Sequence, residues 1–506
     1  MSDWSDGYVT STEYTTHFYP FLSPASQNLA LLLKGVNPPD LSQNFAYCEL
    51  GCGQGFSTAL LAAANPKGSF VGVDFNPAHV AGANQLKATA QIQNVAFLEK
   101  SFAELGSTDL PMFDYIALHG VWSWISRENR EAIASFVYSR LKPGGIVYIS
   151  YNAMPGWAPI GPLRQLFVES QRHKSEIDIS DVNEAIELAV KMRQLEAGYF
   201  KVNPAASANL DYLSKLSRNY LLHEYFNGDW QPFYFSDVAA DLRAAKLGFA
   251  CSSDILEHID QLCFGKEQQA MLATLKDGAA RETIRDYFRN QRFRRDLFSR
   301  GARQLGNNER TEMLRKVRLA KVPVGSDAPA QINFPAGGVL LAGEVYAAIL
   351  ERLSKGTALL GELLDSVGPK AGGFQGVFQS VMVLAASGRL IPTLPSEDDK
   401  ARQQSTAKFN RAVLMSSLGL EAQTLASPVA GNGIAVPRVD QLFMSMAAQK
   451  QPLDAKVIVE RMNKLGMKLT QKGEVANSGD QLVGINTAIA DFSGHRLPSY
   501  KHLGVA

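Results

Sequence analysis

An α/β fold built on a parallel sheet is predicted by three features of the first 150 residues. The run Tyr47-Cys48-Glu49-Leu50-Gly51-Cys52-Gly53-Gln54-Gly55 reads as a buried strand breaking into a glycine turn that opens a helix over 57–65. A second apolar strand, 70–73, ends in Asp74, about twenty residues beyond the turn, where a carboxylate can accept both hydroxyls of a ribose. Further apolar strands at 95–98, 113–118 and 146–150 follow at helix-length spacing, the alternation that makes βαβ units.

Each segment has its place. Glycine at 51, 53 and 55 allows positive φ and lets a ligand approach without a Cβ in the way. The dinucleotide fingerprint G-x-G-x-x-G needs its third glycine at 56, where Phe stands, and no Gly-Lys-Ser or Gly-Lys-Thr follows to make a Walker loop. Strand three leads into Ser101-Phe102, and strand four into His119-Gly120-Val121-Trp122-Ser123-Trp124. The turn Leu141-Lys142-Pro143-Gly144-Gly145 introduces strand five. In open α/β sheets the ligand lies outside the carboxyl ends of the strands, so 51–56, 74–76, 101–102, 119–124 and 151–157 should converge.

At 506 residues the chain exceeds one core, and two to four domains are expected. Apolar residues make up 46% and charged ones 20%, as in a soluble globular enzyme. A net charge of +1 gives no general pull toward nucleic acid or anionic membrane. No run of eighteen apolar residues occurs, and the N-terminus lacks the basic and hydrophobic regions of a secretion signal, so a cytoplasmic protein without membrane insertion is expected. Cys48, Cys52, Cys251 and Cys263 show no paired spacing for zinc or disulfides, so no metal is expected.

The aromatic leader, with Tyr8, Tyr14, Phe18, Tyr19 and Phe21, suits a lid on the ligand or plain core packing. Residues 161–229 read as a helical insertion with a candidate dimer seam, after which a helix at 238–246 and a strand at 249–251 resume the sheet. The core is therefore assigned to 1–160 plus 230–265. Residues 266–325 are expected to be a polar helical connector whose arginines, from Arg281 to Arg303, either pair with Asp286, Asp296 and other acids or dock an acidic partner. Helices at 344–353, 358–367 and 374–387 and a strand at 389–392 suggest a winged-helix-like module within 326–398. Its third helix has no Lys or Arg, which argues for protein contact and against nucleic acid. Residues 399–506 form a further C-terminal domain without a chemical motif.

The pattern E-x-G-x-G-x-G from Glu49 to Gly55, with an acid closing the next strand, resembles the class I S-adenosylmethionine-dependent methyltransferases. Around it, VDFNPAH at 73–79, HGVWSWI at 119–125, YNAMPGW at 151–157, HEYFN at 223–227 and RFRRDLFSRG at 292–301 resemble the methyltransferases with a regulatory domain, among them the rickettsial-type protein lysine methyltransferases. The resemblance implies a Rossmann-like seven-stranded α/β core with a helical insertion, followed by mainly α C-terminal domains. It implies S-adenosylmethionine as cofactor, S-adenosylhomocysteine as product, and a homodimer. Cofactor contacts carried over are Tyr14, Glu49, Gly51, Cys52, Gly53, Gly55, Asp74, Phe75, Asn76, Ser101, Phe102, His119, Gly120 and Val121. Ser101 replaces an acid that many members place against the adenine amine.

Methyl transfer from a sulfonium is an in-line displacement, and a lysine acceptor must first lose its proton. Burial among aromatics lowers a lysine pKa, which makes Trp122, Trp124, Tyr151 and Trp157 candidate walls. Asn152 can orient an amine, and His119 is a candidate base or a contact to the methionyl group. The catalytic candidates are thus His119, Trp122, Tyr151 and Asn152, and the substrate candidates Trp124, Trp157, His223 and Tyr225. N-methylation of protein lysine is the expected activity; a small-molecule acceptor and a non-catalytic cofactor-sensing scaffold are the alternatives.

Overall fold

A computed structural model describes residues 17–174, 177–326, 329–370, 373–415, 423–467, 470–471, 474–475 and 478–506. Tyr8 and Tyr14 lie outside them. Seven strands form the main sheet: β1 (Phe45–Leu50), β2 (Gly68–Asp74), β3 (Val95–Glu99), β4 (Phe113–Leu118), β5 (Leu141–Asn152), β6 (Gly248–Ser252) and β7 (Phe293–Ser299). Their order is β3-β2-β1-β4-β5-β7-β6. The first five run parallel, and β7 lies antiparallel between β5 and β6. The order reverses between β1 and β4, which opens a crevice at their carboxyl ends.

β1 is buried on both faces, as parallel strands flanked by helices must be. Phe45 and Tyr47 join one core while Ala46, Cys48 and Leu50 join the other. The helices packed along the sheet include α1 (Pro24–Leu33), α2 (Phe56–Ala64), α3 (Pro77–Thr89) and α4 (Arg127–Arg140). α2 reads Phe-Ser-Thr-Ala-Leu-Leu-Ala-Ala-Ala and every one of its residues is buried. A helix apolar all round must be covered all round. Its outer side meets the helix Asp399–Leu414 and the hairpin of Thr424–Ser427 and Asn432–Ala435, with Phe56 and Phe409 rings 5.6 Å apart. The hairpin turn also reaches the end of α2 and the leader: Asn65 Nδ2 donates to Gly431 O at 3.0 Å and Asn432 Nδ2 to Pro20 O at 3.3 Å.

Between β5 and α10 (Phe235–Arg243) the chain forms five helices, α5 (Gly161–Ser170), α6 (Ile179–Gln194), α7 (Gly198–Val202), α8 (Pro204–Leu213) and α9 (Arg218–Tyr225). They enclose a core of their own, with Leu163, Phe167, Ala185, Leu210 and Leu222. Asp178 caps α6 by accepting from Ser180 and Asp181 N–H groups.

The arginine-rich stretch departs from expectation. Residues 293–299 are not helix but β7, an interior strand of the sheet next to its edge. Its neighbour, the helix Gly278–Arg289, packs beside it and supplies counter-charges. Arg294 is buried and meets Asp296 at 2.8 Å, Asp286 at 2.7 Å and Glu282 at 3.0 Å. Arg285 and Arg289 pair with Asp260 and Glu257, and Arg303 with Glu309. These four cations are paired with acids within the chain. Strand Arg318–Lys321, within the expected connector, is the centre of a small antiparallel sheet with Ala358–Leu359 and Leu390–Thr393. Helices Glu344–Ser354, Leu360–Val367 and Phe374–Ala386 share a core with Leu29, Leu32 and Leu33 of α1.

Among the described residues no helix is long and apolar enough to cross a membrane, and no cluster of His, Cys, Asp and Glu could hold a metal ion. All four cysteines are buried and unbridged.

Candidate active site

Gly51, Gly53 and Gly55 adopt φ of +72°, +53° and +70°, so the turn takes left-handed backbone at every second residue. Their surroundings differ. A Cβ on Gly51 would lie 2.5 Å from a Val121 methyl, and one on Gly55 2.5 Å from the Phe97 ring and 2.6 Å from Ala83. A Cβ on Gly53 would meet no atom within 4 Å, because it would stand in open cavity.

Asp74 closes β2 beneath this turn and is buried. One carboxylate oxygen accepts the Gly53 N–H at 2.8 Å; the other accepts the Asn76 N–H at 3.0 Å and lies 3.2 Å from His79 Nδ1. The acid is thus aimed and held before any ligand arrives. Asn76 also caps α3 by accepting from the Ala78 N–H at 2.9 Å. Glu49 sits behind the turn, its carboxylate accepting from Thr58 Oγ1 at 2.5 Å, and burial pushes its pKa up to about 7.

A cavity of about 490 Å³ opens along the carboxyl edge of the sheet, a volume within the range of small-molecule sites. Followed in strand order, it is lined by Ser101 and Phe102 after β3, Asp74 and Phe75 after β2, Gly51 and Gly53 after β1, and His119, Gly120 and Val121 after β4. It continues to Trp124, Asn152 and Trp157, where His223 and Tyr225 of α9 close over it. Fourteen expected site residues therefore converge on one cavity, as these lining positions show. Glu49, Cys52, Gly55 and Asn76 do not line it; they carry the wall that does.

Trp122 and Tyr151 require correction. Trp122 is fully buried in the core beneath the sheet's other helices, and Trp124, two residues on, is the one that reaches the cavity. Tyr151 is fully buried and donates its hydroxyl to Asp296 at 2.7 Å. Neighbouring strand residues point to opposite faces, so Tyr148, Ser150 and Asn152 face the site while Tyr151 faces away. The β5–β7 register places Leu297, Arg295 and Phe293 opposite those three, on the same face.

His119 is tightly built in. Its Nδ1 lies 2.8 Å from Tyr148 Oη, and its ring stacks on Tyr19 with centroids 3.6 Å apart. Burial raises the pKa of the Tyr148 hydroxyl, so that hydroxyl is the donor, and the His119 proton is assigned to Nε2. Desolvation, with the Arg295 guanidinium adding to it, lowers His119 to about 3, leaving a neutral ring at ordinary pH. Asn152 is fixed through its backbone, donating to Ser123 Oγ at 2.9 Å and accepting from the Phe233 N–H at 2.9 Å, while its buried side-chain Nδ2 has no hydrogen-bond partner.

The cavity also holds residues that the sequence reading did not assign to it. Tyr19 comes from the leader, His79 from α3, Asn209 and Tyr220 from the insertion, and Arg292, Phe293 and Arg295 from the start of β7. Tyr19 and His79 stand in stretches already conspicuous, the aromatic leader and VDFNPAH.

The chain matches the family described as "Methyltransferase domain" over residues 41–201 and that described as "Predicted methyltransferase regulatory domain" over 217–300. The second segment contains α9, α10, β6 and β7, so it completes the sheet and one wall of the cavity. An uncharacterized protein of Synechocystis is 38% identical over 505 residues, which span 99% of this chain and all of the relative. An uncharacterized protein of Rickettsia prowazekii is 25% identical over 309 residues, 60% of this chain and 55% of that one. PKMT2 from Rickettsia typhi, solved in complex with AdoHcy, shares the fold with a TM-score of 0.70 and 20% identity, across 97% of this chain and 99% of that one. The chain belongs to the class I S-adenosylmethionine-dependent methyltransferases that carry a methyltransferase regulatory domain.

Proposed function

We propose that the chain methylates lysine side chains of a protein substrate. The observation that carries this reading is the wall the insertion lays over the acceptor end, where Tyr212, Tyr220 and Tyr225 stand with Trp157 beside the carboxylates of Glu224 and Asp229. Acids at the entrance attract an ammonium group, and aromatic faces accept it through cation–π contact before burial favours its neutral form. The full-length likeness to the rickettsial PKMT2 supports the same class of acceptor. The lysine nitrogen attacks the methyl carbon in line with the carbon–sulfur bond. That bond's electron pair passes to sulfur, and the methylated nitrogen sheds a proton to water. Incubation with methyl-labelled cofactor and a bacterial proteome, followed by mass spectrometry, should reveal methyl-lysine; a proteome without labelled protein overturns the reading.

In this mechanism His119 is a fixed donor to the methionyl end and not the base. Its Nδ1 is engaged by Tyr148, and the ring stays neutral above pH about 3. The acceptor must then arrive deprotonated, and with a reference lysine pKa of about 10.4 the rate should rise roughly tenfold per unit between pH 7 and 9. An inflection near pH 6.5 that disappears in His119→Asn would contradict this assignment.

The same proposal includes a homodimer through the insertion. Leu195 and Val202, on and beside α6 and α7, are 73% and 76% exposed, the kind of apolar surface a second copy would cover. Leu195→Glu with Val202→Glu should convert a sedimenting dimer to monomer while cofactor affinity stays unchanged. A dimer that persists in this variant excludes the seam.

A further inference from the structure

An amino-acid end is the part of S-adenosylmethionine with the greatest net demand on its surroundings, since its carboxylate needs a cation in a cavity walled largely by rings. Three lysine or arginine side chains line the cavity among the described residues: Lys100, Arg292 and Arg295. Lys100 follows β3, at the adenine end, and is paired with Glu104 at 3.2 Å. Arg292 lies over the Trp157 ring, 5.2 Å from its centroid, and donates to Asn209 Oδ1 at 3.2 Å in the acceptor half.

Arg295 is differently placed. It stands opposite Ser150 in the β5–β7 ladder, on the face that carries Tyr148 and His119. Its guanidinium lies over two rings, 4.5 Å from the Phe21 centroid and 5.1 Å from that of Phe293. Its nearest carboxylate, Asp254, is 3.8 Å away, beyond hydrogen-bond distance, and its Nε is buried with no hydrogen-bond partner. Two aromatic rings pack on the fork, and its buried Nε is left without an acceptor. Such a donor is costly unless a ligand supplies the missing acceptor.

Strand order says which part of the cofactor arrives there. With the ribose at Asp74 after β2, the methionyl chain runs past Gly51 and Gly53 after β1 to His119 after β4, and Arg295 on β7 reaches back over β5 toward that point. We propose that Arg295 binds the methionyl carboxylate of S-adenosylmethionine, with Phe21 of the leader and Phe293 of β7 fixing its guanidinium. Resting on the cofactor assignment, this makes the regulatory segment a contributor to cofactor binding itself. It also links leader, β7 and cofactor: whatever moves Phe21 or β7 changes affinity for the methyl donor.

The test is calorimetric, with S-adenosylhomocysteine and with 5′-methylthioadenosine, which keeps the adenosine and sulfur but lacks the amino-acid end. Arg295→Gln should weaken S-adenosylhomocysteine about 10- to 100-fold, as for loss of a charged hydrogen bond, and leave methylthioadenosine within about twofold. Arg295→Lys should recover part of the loss. Unchanged S-adenosylhomocysteine affinity in Arg295→Gln, or equal weakening of both ligands, overturns the proposal. Wild-type protein that binds neither ligand would remove the cofactor assignment instead.

Discussion

Gly53→Val should lose S-adenosylhomocysteine binding by at least about 100-fold, or about 2.8 kcal/mol at about 1.4 kcal/mol per tenfold, while the chain remains folded. The added side chain meets no protein atom within 4 Å; it stands where the cofactor must lie. The fold bears only the backbone strain of a branched residue at φ +53°, about 1–2 kcal/mol. Gly55→Val bears the same strain and in addition drives into Phe97 and Ala83, for about 1–3 kcal/mol more. Isothermal calorimetry and thermal melts on the pair should therefore separate: binding falls most at 53 and melting temperature falls most at 55. A folded Gly53→Val protein that binds cofactor normally would refute the assignment of this turn.

Arg294→Met should be the most destabilising single change on the sheet, costing about 3–5 kcal/mol, because it strips the counter-charge from buried Asp296 and Asp286. Burial pushes Asp286 up to about 7 even with the arginine present. An acid whose folded pKa is raised weakens the fold most above that pKa, and losing Arg294, which holds the value down, raises it further, so variant and wild type diverge as pH rises past about 7. The deficit of the variant should accordingly shrink between pH 8 and pH 6 in urea denaturation. A deficit that is constant with pH, or below about 1 kcal/mol, would show that the network contributes little.

Both expectations bear on what could be read from residues alone. Strands β1, β2, β4 and β5 announce themselves because strands buried on both faces are nearly all apolar. β7 reads Phe-Arg-Arg-Asp-Leu-Phe-Ser, and its charges look like a solvated helix. Arg294 and Asp296 are buried instead, Arg294 being neutralised by Asp296 beside it and by Glu282 and Asp286 on a neighbouring helix, a pairing distant enough in sequence to leave no periodic signal. Arg295 was hidden by the same run. Asp74, the glycines and the loop at His119 are local motifs, and local motifs survive in one dimension. The error over Tyr151 had a different origin: adjacent strand residues cannot both face a cavity, and Asn152 takes the place. Trp122 and Trp124, likewise close in sequence, divide between core and cavity.

The position of β7 orders the birth of the protein. β6 is made before β7, yet β7 lies between β5 and β6. During synthesis, N-terminal segments emerge first, and the first five strands can pair in order while β6 has no neighbour to join. The five-helix insertion can close its own core in that interval. Only when residue 299 clears the ribosome can the edge be sealed, and with it the wall bearing Arg295 and Phe293. A nascent chain stalled before that point should be protease-sensitive after β5 and blind to the methyl donor; one released beyond it should gain both protection and binding in a single step.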